Sequence, residues 1–484
     1  MTGAASADRR GTAPVATLST GRVRGATLGG DGTAEVVRFL GIPYAQPPVG
    51  ARRFALPLPP APWEGERDGT AFGATSPQRP YPEATAALLS TVEIPGEDTL
   101  TVNVWAAADA ADSPVVLWIH GGSLERGTAA LPGYDGERFA RNGIVFVSLN
   151  YRLGAEGFSV FDDAPADLGL HDVAAGLEWV HREIAAFGGS PARITLMGES
   201  AGGALVAALL SRPDSRPRIA GAIIQSGPLE AVTRERAARV TRQMAEVLGV
   251  EPTASAFRAH SPDELLDARA RQSAGSTPLS GTPGYTLAVD SAALPASPHA
   301  ALVDADVPIL IGTNTEEYRL WLDPDALAAI RRVKAWAARL ALRIPRRAVR
   351  GVRAAFPHAS PGEVLGQLVT DRLLRAPATR LARARRADTF VYEFAWRSPV
   401  RALGAAHAVE IGFVFGDVTS PDAVALAGAD APASLADEMH GAWVAFIRDG
   451  APGWPAYGAE RWTRVFDEAS ETTRQRRADV VDAV

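Results

Sequence analysis

Short apolar runs rich in β-branched and aromatic residues recur along this chain: Val115 to Ile119 (VVLWI), Ile144 to Leu149 (IVFVSL), Ile194 to Met197 (ITLM), Ala222 to Ile224, Ile309 to Ile311 and Phe390 to Phe394. Turn residues bound each run, and helix-like stretches lie between them. A strand that is apolar at every position is covered on both faces, as in a parallel sheet between helices. The clearest helix covers Leu170 to Phe187. There Leu170, Val173, Ala174, Leu177, Val180, Ile184 and Phe187 recur at three- and four-residue spacing before Gly188-Gly189 stop the pattern. This alternation predicts an α/β fold with a mostly parallel central sheet flanked by helices. The 484 residues suffice for a large core and contain no internal repeat. A single domain over 1–484 is expected, with a helical insertion at 318–388 after the Ile309 to Ile311 strand.

From Pro324 to Phe356 the chain is Ala- and Arg-rich, and Pro345 splits it into two helical pieces. The plain expectation is a pair of solvated cap helices, because arginine faces usually lie at the surface. The sharper one is a basic amphipathic surface for anionic lipid or another acidic partner.

Forty-nine basic against 55 acidic residues leave a net charge of −6, which gives no reason to expect a nucleic-acid partner. Without cysteine there is no disulfide, thiolate zinc site or cysteine nucleophile. Lys334 is the only lysine and no phosphate-loop motif occurs. No apolar run is long enough to span a membrane, and the start (MTGAASADRRGTAPVATLSTGRVRG) has no secretory apolar region, so a cytoplasmic protein is expected. Monomer and homodimer are both compatible with these features.

The stretch MGESAGGA contains Gly198-Glu199-Ser200-Ala201-Gly202, the G-x-S-x-G pattern of a nucleophile elbow. Such an elbow needs a strand, a tight turn and a helix. Ile194 to Met197, the two glycines and Ala204 to Leu210 supply them. A second loop must donate backbone N–H groups to the oxyanion. LWIHGGS, Leu117 to Ser123, leaves a strand into a glycine pair, which assigns the hole to the amides of Gly122, Ser123 and Ala201. Serine also needs a histidine base oriented by a carboxylate, in the chain order Ser, acid, His. Of eight histidines, His120, His171 and His181 precede or crowd the elbow, and His260, His299 and His358 sit in polar loop- or helix-like surroundings. His440 falls in a helical pattern where surface placement is expected, leaving His407 in a small-residue loop. The acid follows the strand of ILIGTNTEEY, where Glu316 and Glu317 are equally placed.

With these residues in view, the chain resembles the type-B carboxylesterase family, which includes cholinesterases and bacterial para-nitrobenzyl esterases. The likeness runs through FLGIPYAQPPVGARRF from Phe39, GEDTLTVNVW from Gly96, NYRLGAEGF from Asn150 and GLHDVAAGLEWVHREIAAFGGSPARITLMGESAGG from Gly169. It continues through QSG at Gln225, VDSAALP at Val289, GTNTEEY at Gly312, HAVEIGFVFG at His407 and WPAY at Trp454, and is weakest across Val232 to Gly284. The resemblance implies an α/β-hydrolase fold, a Ser200–Glu317–His407 triad and oxyanion donors at Gly122, Ser123 and Ala201. It implies that Glu199 lines the site and that Arg152 and Asp172 form a structural ion pair.

Departures from the family pattern are specific. Ser76 and Thr99 stand where many relatives carry a cysteine pair, Ser123 replaces a third loop glycine, and Tyr318 replaces a frequent glycine. Glu125 and Arg126 stand where relatives are usually apolar; a mutual ion pair at the rim is expected for them, with contact between one of them and the substrate as the alternative. Position suggests apolar pocket walls at Leu124, Leu229, Leu322 and Leu374, hence uncharged alkyl or aryl esters as small-molecule substrates. Hydrolysis through an acyl-enzyme needs no cofactor or metal. The same triad would serve a carbamate, an amide or a specialised ester, whereas a non-catalytic binding protein on this fold would be expected to lack the serine.

Overall fold

The apolar runs become neighbouring strands of one sheet. In the computed structural model, which describes residues 13–29, 35–274 and 284–484, eleven strands form it. In chain order they are β1 (Ala26–Leu28), β2 (Val36–Pro43), β3 (Thr101–Ala107), β4 (Ser113–Ile119), β5 (Val145–Leu149) and β6 (Gly189–Glu199). There follow β7 (Gly221–Gln225), β8 (Ile309–Asn314), β9 (Thr389–Phe394), β10 (Trp462–Phe466) and β11 (Glu471–Arg474). The spatial order is β1-β2-β3-β5-β4-β6-β7-β8-β9-β10-β11. Pairings from β5 through β10 are parallel, and both margins are antiparallel. Residues 1–12, part of the Ala/Gly/Thr-rich start, lie outside the described residues, as do 30–34 and 275–283.

Strand alternation explains the continuous apolar runs. Val115, Leu117 and Ile119 of β4 join one buried cluster, while Val116 and Trp118 join the other on the opposite face. The first cluster packs under α1 (Leu168–Glu183) and α2 (Ala201–Ser211). The expected helix to Phe187 ends as α-helix at Glu183 and closes with a 3-10 turn, Ile184–Phe187, before Gly188 at φ 77°. Strand β6 is longer than its apolar ITLM segment, because Gly189 and Ser190 are buried and Gly189 pairs with Ser113. No helix among the described residues is long and apolar enough to cross a membrane.

Further on come α3 (Pro262–Ser273) and a run of helices between β8 and β9: α4 (Pro324–Ala328), α5 (Arg332–Ala341), α6 (Arg346–Ala355), α7 (Pro361–Thr370) and α8 (Ala376–Ala384). Pro345 does break the Arg-rich segment, standing at the N-cap of α6. Helix α9 (Ala433–Asp449) covers the second sheet face through Trp443 and Phe446. Ile344, Ala348, Val352, Val364 and Leu368 form a separate small core with Val480, which holds α6 on α7.

Candidate active site

Strand β6 delivers Glu199 and Ser200 to the site. Ser200 has φ 55° and ψ −122°, a strained conformation for a residue with a side chain, and α2 starts at the very next residue. The helix therefore begins three residues earlier than the Ala204 expected from the sequence. Gly202 is its contact point with β4: a Cβ there would lie 1.9 Å from the carbonyl oxygen of Ile119. One at Gly198 would lie 2.6 Å from the Gly202 carbonyl carbon. Small residues thus let strand and helix meet, and the meeting forces the serine turn. The Ser200 N–H donates to Gln225 O at 2.9 Å.

The loop after β4 folds over this turn. Gly122, Ser123 and Leu124 have φ values of 112°, 59° and 62°, so a non-glycine residue bears strain at Ser123 and again at Leu124. A Cβ at Gly121 would come within 3.1 Å of Ser200 Cβ and 2.7 Å of Glu199 Oε2. Among the described residues, the N–H groups of Gly122, Ser123 and Ala201 donate to no protein acceptor. Those at Ser123 and Ala201 belong to residues that line the same cavity as Ser200. Unpaired N–H groups at a helix start and in a facing loop make an anion-binding corner.

Of the two acids after β8, Glu317 meets the histidine. Its Oε2 lies 2.6 Å from His407 Nδ1, and its Oε1 accepts from Ser226 Oγ at 2.7 Å and from Asn314 N at 2.8 Å. Glu316 is instead held by Arg319, at 2.7 Å, and by Arg397. The remaining imidazole nitrogen, Nε2, approaches Glu199 Oε1 at 3.0 Å without hydrogen-bond alignment. Ser200 Oγ forms no hydrogen bond among the described residues. Burial alone would lower the His407 pKa, but the Glu199 and Glu317 carboxylates outweigh it and hold it well above the ordinary histidine value. Trp321 packs its ring 4.7 Å from the imidazole at a 40° tilt.

A further acid lies beneath. Glu410 is fully buried, accepts from Asn314 Nδ2 at 2.6 Å and Gln225 Nε2 at 3.3 Å, and is pushed up to about 8 by burial and by the Glu199 and Glu317 charges. Ser226, Asn314, Trp321 and Glu410 carry no motif of their own in the sequence. A partial signal existed: each lies inside or beside the segments QSG, GTNTEEY and HAVE.

Two hollows meet at this point. The larger, about 890 Å³, is lined by Ser200, Ala201, Ser123, Leu124, Trp321, Leu322, Leu374, Glu317 and His407 among others. A smaller one, about 100 Å³, lies beside the loop and is lined by Gly121, Gly122, Ser123, Glu199, Tyr134, Leu320 and His407. Leu124, Leu322 and Leu374 thus stand where position suggested. Leu229 does not: it is fully buried in the core, and its neighbours Pro228 and Glu230 face the cavity instead.

The Glu125–Arg126 ion pair forms but is not the closest one, and the surface placement of His440 is corrected. Glu125 pairs chiefly with Arg269 of α3, at 2.6 Å, and only loosely with Arg126, at 3.9 Å; a partner 144 residues away is invisible to local spacing. Arg126 lies over the Tyr81 ring. His440 is buried, its Nδ1 2.9 Å from Val414 O, because it lies on the inner face of α9. The Arg152–Asp172 pair forms as the resemblance implied, at 2.7 Å and with both side chains buried. Ser76, at one cysteine position of relatives, donates to Tyr151 O. No cluster of His, Asp or Glu among the described residues could hold a metal ion.

Residues 12–480 match the Carboxylesterase family. The para-nitrobenzyl esterase of Bacillus subtilis is 35% identical over 475 residues, 94% of each chain. The phenmedipham hydrolase of Pseudarthrobacter oxydans is 35% identical over 466 residues, 90% of this chain and 92% of that one. A crystal structure of the Geobacillus stearothermophilus carboxylesterase superposes with a TM-score of 0.85 at 33% identity, covering 97% of this chain and 99% of that one.

Proposed function

Because the chain belongs to the carboxylesterase family and is a carboxylic ester hydrolase, we propose that it cleaves uncharged alkyl and aryl esters through Ser200, His407 and Glu317. The observation that carries this reading is the 2.6 Å contact between Glu317 and His407 on the wall of the cavity that exposes the strained Ser200. Glu317 fixes the tautomer that leaves Nε2 to act on Ser200 Oγ, and an unaligned Glu199 contact leaves that nitrogen free to turn to the serine. The alkoxide attacks the ester carbonyl, and the amides of Gly122, Ser123 and Ala201 receive the developing oxyanion. Each donor is worth about 2.7–4 kcal/mol of barrier. His407 then protonates the leaving alcohol and activates the water that releases the acid.

Leu124, Leu322 and Leu374 give the large hollow an apolar wall, which favours an alkyl or aryl group there. The small hollow receives the other, smaller side of the ester. The test is hydrolysis of p-nitrophenyl acetate, butyrate and octanoate by the protein and by Ser200→Ala. The expected result is turnover by the parent, including of octanoate, with loss of roughly 10³-fold or more in the variant. Equal rates for the two proteins would overturn the role of Ser200, and failure on octanoate alone would overturn the pocket assignment.

A further inference from the structure

Helix α5 packs on the fold by one narrow side and buries none of its residues. At about 100° per residue, Ala335, Ala338 and Leu342 share its packed side, facing α7. On the other side, Val333, Trp336, Ala337 and Leu340 fall within an arc of about 100°. Val333 is 77% exposed, Trp336 55% and Leu340 46%. Lys334 borders this stripe on one side, and Arg332 and Arg339 on the other. Between residues 331 and 355 there are nine basic side chains and no acidic one. None of the nine forms an ion pair among the described residues.

We propose that α5 docks the protein on an anionic lipid bilayer, its Val333–Trp336–Leu340 stripe entering the headgroup boundary while the flanking cations meet lipid phosphates. Charge decides the occupant. A second copy laid face to face would oppose like charges, and a nucleic acid would leave the apolar stripe without a partner. An anionic bilayer satisfies both, offering hydrocarbon beneath a negative surface. Helix α7, which carries α5, also walls the large cavity through Gly366, Val369 and Thr370. Trp321 and Leu373, on that same wall, are 43% and 57% exposed. The docking helix and the cavity entrance therefore share one support.

The experiment is flotation of the full chain with vesicles of phosphatidylcholine alone and of phosphatidylcholine containing about one third phosphatidylglycerol. Binding is expected to the anionic vesicles only, weakening as salt is raised. The triple variant Val333→Ser, Trp336→Ser, Leu340→Ser should bind at least about tenfold less while hydrolysing p-nitrophenyl butyrate in solution at the parent rate. Arg332→Gln and Lys334→Gln should each cost about fivefold in binding. No flotation of the parent, equal flotation with neutral vesicles, or undiminished binding by the Ser variant would each overturn the proposal. The last outcome, with tight retention on heparin, would assign the surface to a polyanion. Because esterase activity is read separately, a failed docking helix is distinguishable from a failed triad.

Discussion

His407 has a carboxylate beside each ring nitrogen, Glu317 at 2.6 Å and Glu199 at 3.0 Å, and this arrangement controls the pH at which it can accept a proton. Two negative neighbours favour the imidazolium, so activity should rise with pH as that proton leaves. Replacing Glu199 with Gln removes one stabilising charge and should move the acid limb of the kcat/KM profile to lower pH. An unmoved limb would show that Glu199 does not set the base. Glu410 carries the complementary signature. Its pKa of about 8 lies above the ordinary 4.5, so the folded state holds a proton that the unfolded chain releases. That contribution to stability is complete below the unfolded value and is lost as pH rises through about 8. Glu410→Gln should therefore flatten the fall in Tm between about pH 4.5 and about pH 8, as read by calorimetry.

At the scale of the element, the strand-turn-helix around Ser200 shows why small residues were legible and their consequences were not. G-x-S-x-G and HGGS announce turns, yet only the structure reveals that Gly202 has no room for a Cβ. An exposed helical glycine changed to alanine gains about 1 kcal/mol from propensity. Here the 1.9 Å clash with Ile119 O reverses the sign, and Gly202→Ala should lose about 3 kcal/mol in urea unfolding and displace Ser200 enough to depress kcat. The loop after β5 is pinned differently, by Arg152 donating through N, Nε and Nη2 to Asp172 on α1. Asp172→Ala leaves a buried guanidinium unpaired and should cost about 3–5 kcal/mol in the same measurement. The β-branched strands and the periodic helix α1 could be read from local pattern, because burial on both faces or on one stripe writes itself into neighbouring residues. The Glu125–Arg269 pair, the Glu199–His407 contact and the burial of His440 could not. Each depends on which distant element arrives beside it, and Glu316 and Glu317, both buried, are separated only by the turn that aims one at Arg319 and Arg397 and the other at His407.

At the scale of the whole molecule, the sheet joins strands that are far apart in sequence. Val115 pairs with Ile194, Ala222 with Ile309, and Ile309 with Thr389. Ser200 stands at the end of β6, Glu317 follows β8 and His407 follows β9, so the three line one cavity only when these long crossovers have closed. Loop closure over such separations is slow, whereas α1 and α9 can form from local contacts within microseconds. On dilution from denaturant, helical circular dichroism should therefore return well before hydrolytic activity, and coincident recovery would contradict that order. The parallel pairing that positions the three side chains thus also makes esterase turnover a clock for the last non-local steps of folding.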